Sequence, residues 1–247
     1  MIADLLATPG LFWLVATIGA AGIVRGFTGF GTALIFVPVA GLFLPPAEVI
    51  ALITLTGVAS TFALLPRAWA QAEKRDVGLL SLAALFTVPV GLWLLAKLDQ
   101  VTIRWIVTVI AGVMLAALVS GWRYRGEVRG GKLGAIGGAA GLFGGLTGLT
   151  GPAVILFYLS GVKRVEVVRA NTILFLAALD VVIVANLMWR GMTDWRLFVL
   201  AGALAVPYFV TTMIGQAMFD PRHEKIYRTA AYAVIALAVL TGLPLWD

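Results

Sequence analysis

The sequence predicts an all-α integral membrane protein made of two inverted repeats, each a broken, re-entrant helical hairpin followed by three transmembrane helices. Three observations carry that prediction. Of 247 residues, 61% are hydrophobic and only 12% charged, with a mean hydropathy of +1.02. A soluble domain carries about 25% charge, so these side chains must face lipid or one another. The apolar residues gather into runs of membrane-crossing length, and two of the runs are long, glycine-interrupted copies of each other.

In chain order the runs cover 10–44, 47–66, 77–96, 101–121, 133–160, 166–189, 195–218 and 224–243. All but 10–44 and 133–160 have about the 20 residues that a helix rising ~1.5 Å per residue needs to cross a ~30 Å hydrocarbon core. Those two are too long for one crossing. Asp4 is the only charge ahead of the first run, so a cleaved leader is not expected. The chain has no Cys and one His, His223, which removes thiolate chemistry, makes a metal centre a poor reading and leaves no cofactor expected. The net charge of +6 resides in short loops between apolar runs, where it reports topology and not a nucleic-acid partner.

The copies are Gly19-Ala20-Ala21-Gly22-Ile23-Val24-Arg25-Gly26-Phe27-Thr28-Gly29 and Gly138-Ala139-Ala140-Gly141-Leu142-Phe143-Gly144-Gly145-Leu146-Thr147-Gly148, offset by 119. Thr54 and Thr172, and Pro89 and Pro207, pair at an offset of 118. The duplication therefore divides the chain into 1–121 and 133–247, joined by the basic linker 122–132. If each interrupted run enters and leaves on one side, thirteen Lys and Arg from Arg67 to Arg228 share one face, and the other keeps Lys97, Arg104, Arg190 and Arg196. Single crossings give 9 against 8, which is no bias. The positive-inside rule selects the inverted arrangement, with the linker cytoplasmic and both termini outside.

Inverted repeats with interrupted helices are the usual build of a secondary transporter, since unwound backbone within hydrocarbon must be buried or line a cavity. The breaks fall at Gly26-Phe27-Thr28-Gly29-Phe30-Gly31-Thr32 and Gly145-Leu146-Thr147-Gly148-Leu149-Thr150-Gly151. Short return helices, about 33–44 and 152–160, then point their N-termini into the membrane, where free N–H groups and the helix dipole favour an anion. Thr28, Thr32, Thr147 and Thr150 can cap these ends or donate to an oxyanion. Gly19, Gly22, Gly138 and Gly141 read as helix-packing positions. Arg25 lies deep in an apolar run, with Gly144 at the matching place in the second copy; anion binding, pairing with Asp180 and snorkelling are its alternatives. Asp180, midway along 166–189, is a candidate for proton coupling or for structural pairing. Arg169 reads as a topogenic cation, whereas Asn171, buried deeper, reads as facing a partner or the cavity. Pro38, Pro89 and Pro207 predict kinks, and Trp69, Trp122, Trp189, Trp195 and Trp246 an interfacial belt.

The pattern Gly-x-x-x-Gly-x-Thr-Gly-x-Gly leading to Val37-Pro38, repeated after a basic linker, resembles the TauE/SafE family of sulfite and organosulfonate exporters over essentially the whole chain. The resemblance implies a bacterial inner-membrane protein that exports a small sulfur-containing oxyanion, sulfite or an organosulfonate such as sulfoacetate, with the two glycine tips as the substrate site. The first copy here reads Gly29-Phe30-Gly31-Thr32 and the second Gly148-Leu149-Thr150-Gly151-Pro152, so hydroxyls stand at two places where the family more often has glycine. The expected partners are a small anion, protons and lipid. A passive anion channel, or a carrier of another small organic anion, is the alternative. An intramembrane enzyme is disfavoured because no Ser-His, Asp-Asp or His cluster lies in the runs.

Overall fold

The computed structural model describes residues 5, 7–28, 31–62, 65–122, 124, 126, 128–151, 154, 165–218, 222 and 224–245. Its elements are all helices: α1 (Leu11–Thr28), α2 (Thr32–Ala40), α3 (Pro46–Phe62), α4 (Leu65–Gln71), α5 (Lys74–Lys97), α6 (Gln100–Val119), α7 (Gly131–Thr147), α8 (Val165–Trp189), α9 (Trp195–Met218) and α10 (Glu224–Gly242). Among the described residues four helices are long and apolar enough to cross a membrane, Lys74–Lys97, Gln100–Val119, Ala170–Trp189 and Trp195–Met218. Large apolar side chains such as Phe86, Val113, Val206, Leu237 and Leu240 stand exposed on the outer faces. A surface of that kind needs lipid around it.

The first interrupted run does turn back. Gly10, just before α1, lies against the Phe43 ring, just after α2, so the chain leaves the bundle at the end where it entered. The return helix is shorter than expected, 32–40 against 33–44, because Gly41 closes it and the chain continues as a tight turn to Leu44. The run 47–66 is also corrected: it is α3, of 17 residues, followed by the separate α4. The second return helix, 152–160, lies outside the described residues apart from Val154.

Two helix pairs dominate the packing, α1 against α9 and α7 against α5. Both are glycine contacts, and they match in detail. On α1, a Cβ added at Gly22 would strike the Thr211 hydroxyl and the Tyr208 carbonyl, and one at Gly26 the Thr212 carbonyl. On α7, Gly141 stands in the same relation to Thr87 and Ala84, and Gly145 to the Val88 carbonyl. Gly215 and Gly91 answer from the other side, against the carbonyls of Ile23 and Leu142. Close backbone approach through small residues is how helices associate where no hydrophobic force separates a helix surface from lipid. The matched positions differ by 119 on α1 and α7 but by 124 on α5 and α9. The 118 offset that pairs Pro89 with Pro207 therefore does not hold in space; Thr87 and Thr211 are the packing equivalents.

Short turns set the remaining helices side by side. Asp99 caps α6 by accepting from the Thr102 N–H at 2.9 Å and its hydroxyl at 2.7 Å. These bonds, the hydroxyl's first and then the backbone's, hold the Asp99 carboxyl below the usual range. Asp194 accepts from the Leu197 N–H in the same way at the start of α9. The α8 helix runs beside α5, with Asn171 at the start of α5 and Arg190 bonded to the Pro89 carbonyl further along. That alignment brings the middle of α8 to the centre of the bundle.

Candidate functional site

Each glycine tip reverses through a left-handed residue that only glycine adopts without strain. Gly31 has φ +98° as the N-cap of α2, and Gly148 has φ +75° as the C-cap of α7. No side chain caps α2, so of the two roles expected of the threonines, capping is corrected at the first return helix. Thr28 donates to the Val24 carbonyl at 2.6 Å and Thr147 to the Phe143 carbonyl at 2.7 Å. Both hydroxyls bond back to the carbonyl one turn earlier in the last turns of α1 and α7. Thr147 also accepts from the Leu149 N–H at 3.2 Å.

Thr32, the first residue of α2, is buried, and its hydroxyl shares a 3.0 Å hydrogen bond with the Tyr208 hydroxyl of α9. Tyr208 is 1% exposed and was not singled out from the sequence, where it reads as one more apolar position. Its only signal is a phenol placed beside Pro207 in the middle of a membrane run, where an O–H requires a partner.

The middle of α8 joins the two tips. Arg25 of α1 lies on the side of Asp180, near enough for its charge to act on the carboxyl, with no direct ion pair between the two. A Cβ at Gly57 of α3 would lie 3.4 Å from Asp180 Oδ2. One residue before Asp180 and three after it, Leu179 and Ile183 face Gly144 of α7, whose Cβ position is also only 2.8 Å from the Thr150 methyl. That crowding explains why the second copy has no arginine: a side chain at position 144 would displace Thr150 and Ile183. The two copies therefore differ here, with Arg25 on α1 and a closely packed Gly144 on α7. Gly148 in turn lies against Ile50 and Ile53 of α3 and Val37 of α2, which sets the second tip beside the helix that follows the first.

The other expected site residues are placed differently. Gly26 and Gly145 are spent on the α1–α9 and α7–α5 contacts described above, so they face backbone and not an open site. Gly29 lies outside the described residues. Gly151 is partly buried beside Thr150, and the residues that follow it lie outside the description. Asn171 is fully buried, but its carboxamide oxygen accepts the Glu73 N–H at 2.7 Å at the start of α5. At nine residues from Asp180 it is about 13 Å away along α8. Thr56, beside Gly57, went unnoticed in the sequence; it is 1% exposed, and its hydroxyl oxygen has no hydrogen-bond partner among the described residues. Arg104, read as a loop cation, is 8% exposed and inside the bundle, correcting that reading. Among the described residues no cluster of His, Cys, Asp or Glu could hold a metal ion.

An all-helical bundle with long apolar helices and large apolar side chains on its outer faces defines a multi-pass membrane protein. The chain belongs to the TauE/SafE sulfite exporter family, whose model, described as Sulfite exporter TauE/SafE, matches residues 14–241. No curated protein and no solved structure matches it.

Proposed function

We propose that this protein is a secondary transporter that exports a small sulfur-containing oxyanion, sulfite or an organosulfonate such as sulfoacetate, in exchange for or together with protons. The observation that carries the reading is the gathering of Arg25, Gly57, Asp180 and the Gly144–Thr150 turn around the middle of α8. An ionisable pair is costly among apolar helices and is kept there for function. Arg25 supplies the planar guanidinium that matches two oxygens of an oxyanion. The first-turn N–H groups of α2 and the hydroxyls of Thr32 and Thr150 supply further donors, with Gly31, Gly148 and Gly151 allowing close approach. Asp180 beside Arg25 couples the two ions, because its ionised form competes with the anion for the guanidinium and its protonated form does not.

In this reading the halves 1–121 and 133–247 are inverted, the 122–132 linker is cytoplasmic, both termini are outside, and the membrane is the bacterial inner membrane. The crosswise pairing of α1 with α9 and α7 with α5 supports it, since each hairpin then rides on a helix of the other half, the arrangement that lets one element rock against another.

Uptake and efflux in proteoliposomes against sulfite, sulfoacetate, sulfate and formate test the reading. Sulfite or sulfoacetate flux that responds to an imposed pH gradient is the expected result. Flux that follows only the anion gradient, indifferent to pH, makes the protein a channel. In binding titrations Arg25→Lys should weaken sulfite about tenfold, by loss of the bidentate fork, and Arg25→Ala about a hundredfold or more. Wild-type affinity in Arg25→Ala removes Arg25 from the site.

A further inference from the structure

Several threonine hydroxyls on the helices of this bundle bond back to the carbonyl one turn earlier. Thr54 donates to the Ile50 carbonyl at 2.7 Å, Thr172 to that of Val168 at 2.8 Å, and Thr211 and Thr212 to those of Pro207 and Tyr208 at 2.7 Å each. Thr56 does not. It stands two residues after Thr54 on α3, 1% exposed, and its Oγ1 is buried with no hydrogen-bond partner among the described residues. A hydroxyl held out of water without a partner costs stability, and in a native protein such a group calls for an explanation.

The next residue gives that explanation a place. The packing glycines of α1 and α7 are pressed against backbone, whereas a Cβ added at Gly57 would meet a single atom within 4 Å outside its own stretch of helix, Asp180 Oδ2 at 3.4 Å. That is ordinary contact, so packing does not demand glycine here, and the bare backbone leaves room between α3 and the Asp180 carboxyl. Successive Cα atoms are ~3.8 Å apart, so an anion resting on the Gly57 backbone lies within reach of a Thr56 side chain turned toward it. The second copy has no such pair. At the 118 offset that matches Thr54 to Thr172, Thr56 and Gly57 become Leu174 and Phe175, both buried, and these large apolar side chains fill the place. Like Arg25, the hydroxyl and the room beside it belong to one half only.

We propose that Thr56 is a substrate-binding residue, its hydroxyl donating to the transported oxyanion at the bare Gly57 backbone beside Asp180, and that its want of a partner destabilises the empty protein relative to the loaded one. The assignment rests on the transport reading above and adds α3 to the donors named there. At 1% exposure the hydroxyl is closed off in the arrangement described, so the anion reaches it as the helices around α3 part, the movement that alternating access requires. A hydroxyl donating to an anion makes a charge-assisted bond, roughly twice as strong as one between neutral groups. A contact made in one arrangement and missing in the other is what lets a ligand draw a protein between the two.

Thermal-shift titration of the full chain in detergent with sulfite, sulfoacetate, sulfate and formate, for wild type, Thr56→Val, Thr56→Ser and Thr54→Val, tests this. Valine keeps the shape of threonine and drops the hydroxyl. Without anion, Thr56→Val should unfold about 2–4 °C above wild type, because a buried unpaired donor is gone. Its affinity for the anion that wild type binds should fall about tenfold. Thr56→Ser should bind as wild type does. Thr54→Val, which loses the bond to Ile50, should unfold below wild type and bind normally. A hydroxyl that serves the fold gives the opposite pattern. A Thr56→Val protein no more stable than wild type therefore overturns the proposal, as does wild-type affinity in that variant or an equal loss of affinity in Thr54→Val. Should Thr56→Val fail to fold, Thr56→Ala carries the affinity test, and wild-type affinity there overturns the proposal as well. Wild type that responds to none of the four anions sinks the transport reading and this assignment together. A wild-type response that Thr56→Val keeps in full removes Thr56 alone and leaves Arg25 and the transport reading standing.

Discussion

Gly141→Ala and Gly134→Ala make the same chemical change on one helix, α7, and should act in opposite directions. In a helix interior, glycine to alanine gains about 1 kcal/mol from backbone entropy and propensity. At Gly134 nothing lies within 4 Å of the new Cβ, so that gain should appear in full. At Gly141 the Cβ would sit 2.7 Å from Ala84 Cα and 2.9 Å from the Ala84 carbonyl. A carbon pair rests at ~3.5 Å or more, so α5 and α7 must separate by about 0.8 Å. The obstacle is backbone, which cannot rotate away. Overpacking of this kind costs ~1–3 kcal/mol, and net of the propensity gain Gly141→Ala should lose up to ~2 kcal/mol, leaving it about 1–3 kcal/mol below Gly134→Ala. Gly22→Ala, against the Tyr208 carbonyl at 2.8 Å, should lose a similar amount, and the open Gly202→Ala should gain like Gly134→Ala. Thermal unfolding in one detergent reads all four. With ~2–4 °C per kcal/mol for a chain of this size, the crowded and open pairs should separate by at least about 2 °C. A Gly141→Ala protein as stable as Gly134→Ala refutes the argument, because the close approach of α5 and α7 would then carry no cost.

Tyr208→Phe should leave the fold in place and unpair the Thr32 hydroxyl, a loss of ~1 kcal/mol in stability; the check is the unfolding midpoint together with sulfite affinity, which should fall if Thr32 is held by this bond. Asp180→Asn should abolish accumulation driven by a pH gradient and leave anion exchange running, since the amide cannot take up a proton; a variant that still concentrates sulfite makes Asp180 structural. A reporter fused after Asp247 should behave as external to the cytoplasm, and cytoplasmic activity there overturns the inverted arrangement.

Much of the fold was legible because a bilayer allows few solutions. Length and apolarity alone locate the long helices: 77–96, 101–121, 166–189 and 195–218 sit within a few residues of α5, α6, α8 and α9. The repeated glycines also mark where α1 and α7 end, with Gly31 and Gly148 at positive φ just beyond. Family membership followed from the same short motifs.

The sequence by itself thus determined that the chain is a helical membrane protein, where its long helices lie and which family it belongs to, because each of these is a local property of composition and spacing. What only the tertiary structure decided is which groups meet. Gly26 and Gly145 look like tip residues in sequence, but α9 and α5 press against them. Asn171 looks like a cavity amide, but the start of α5 occupies it. Arg104 looks like a loop cation until α10 closes over it, and Tyr208 looks apolar until Thr32 arrives from 176 residues away. Helical spacing states which residues share a face of one helix, and the neighbour that face meets is set by how all the helices pack at once.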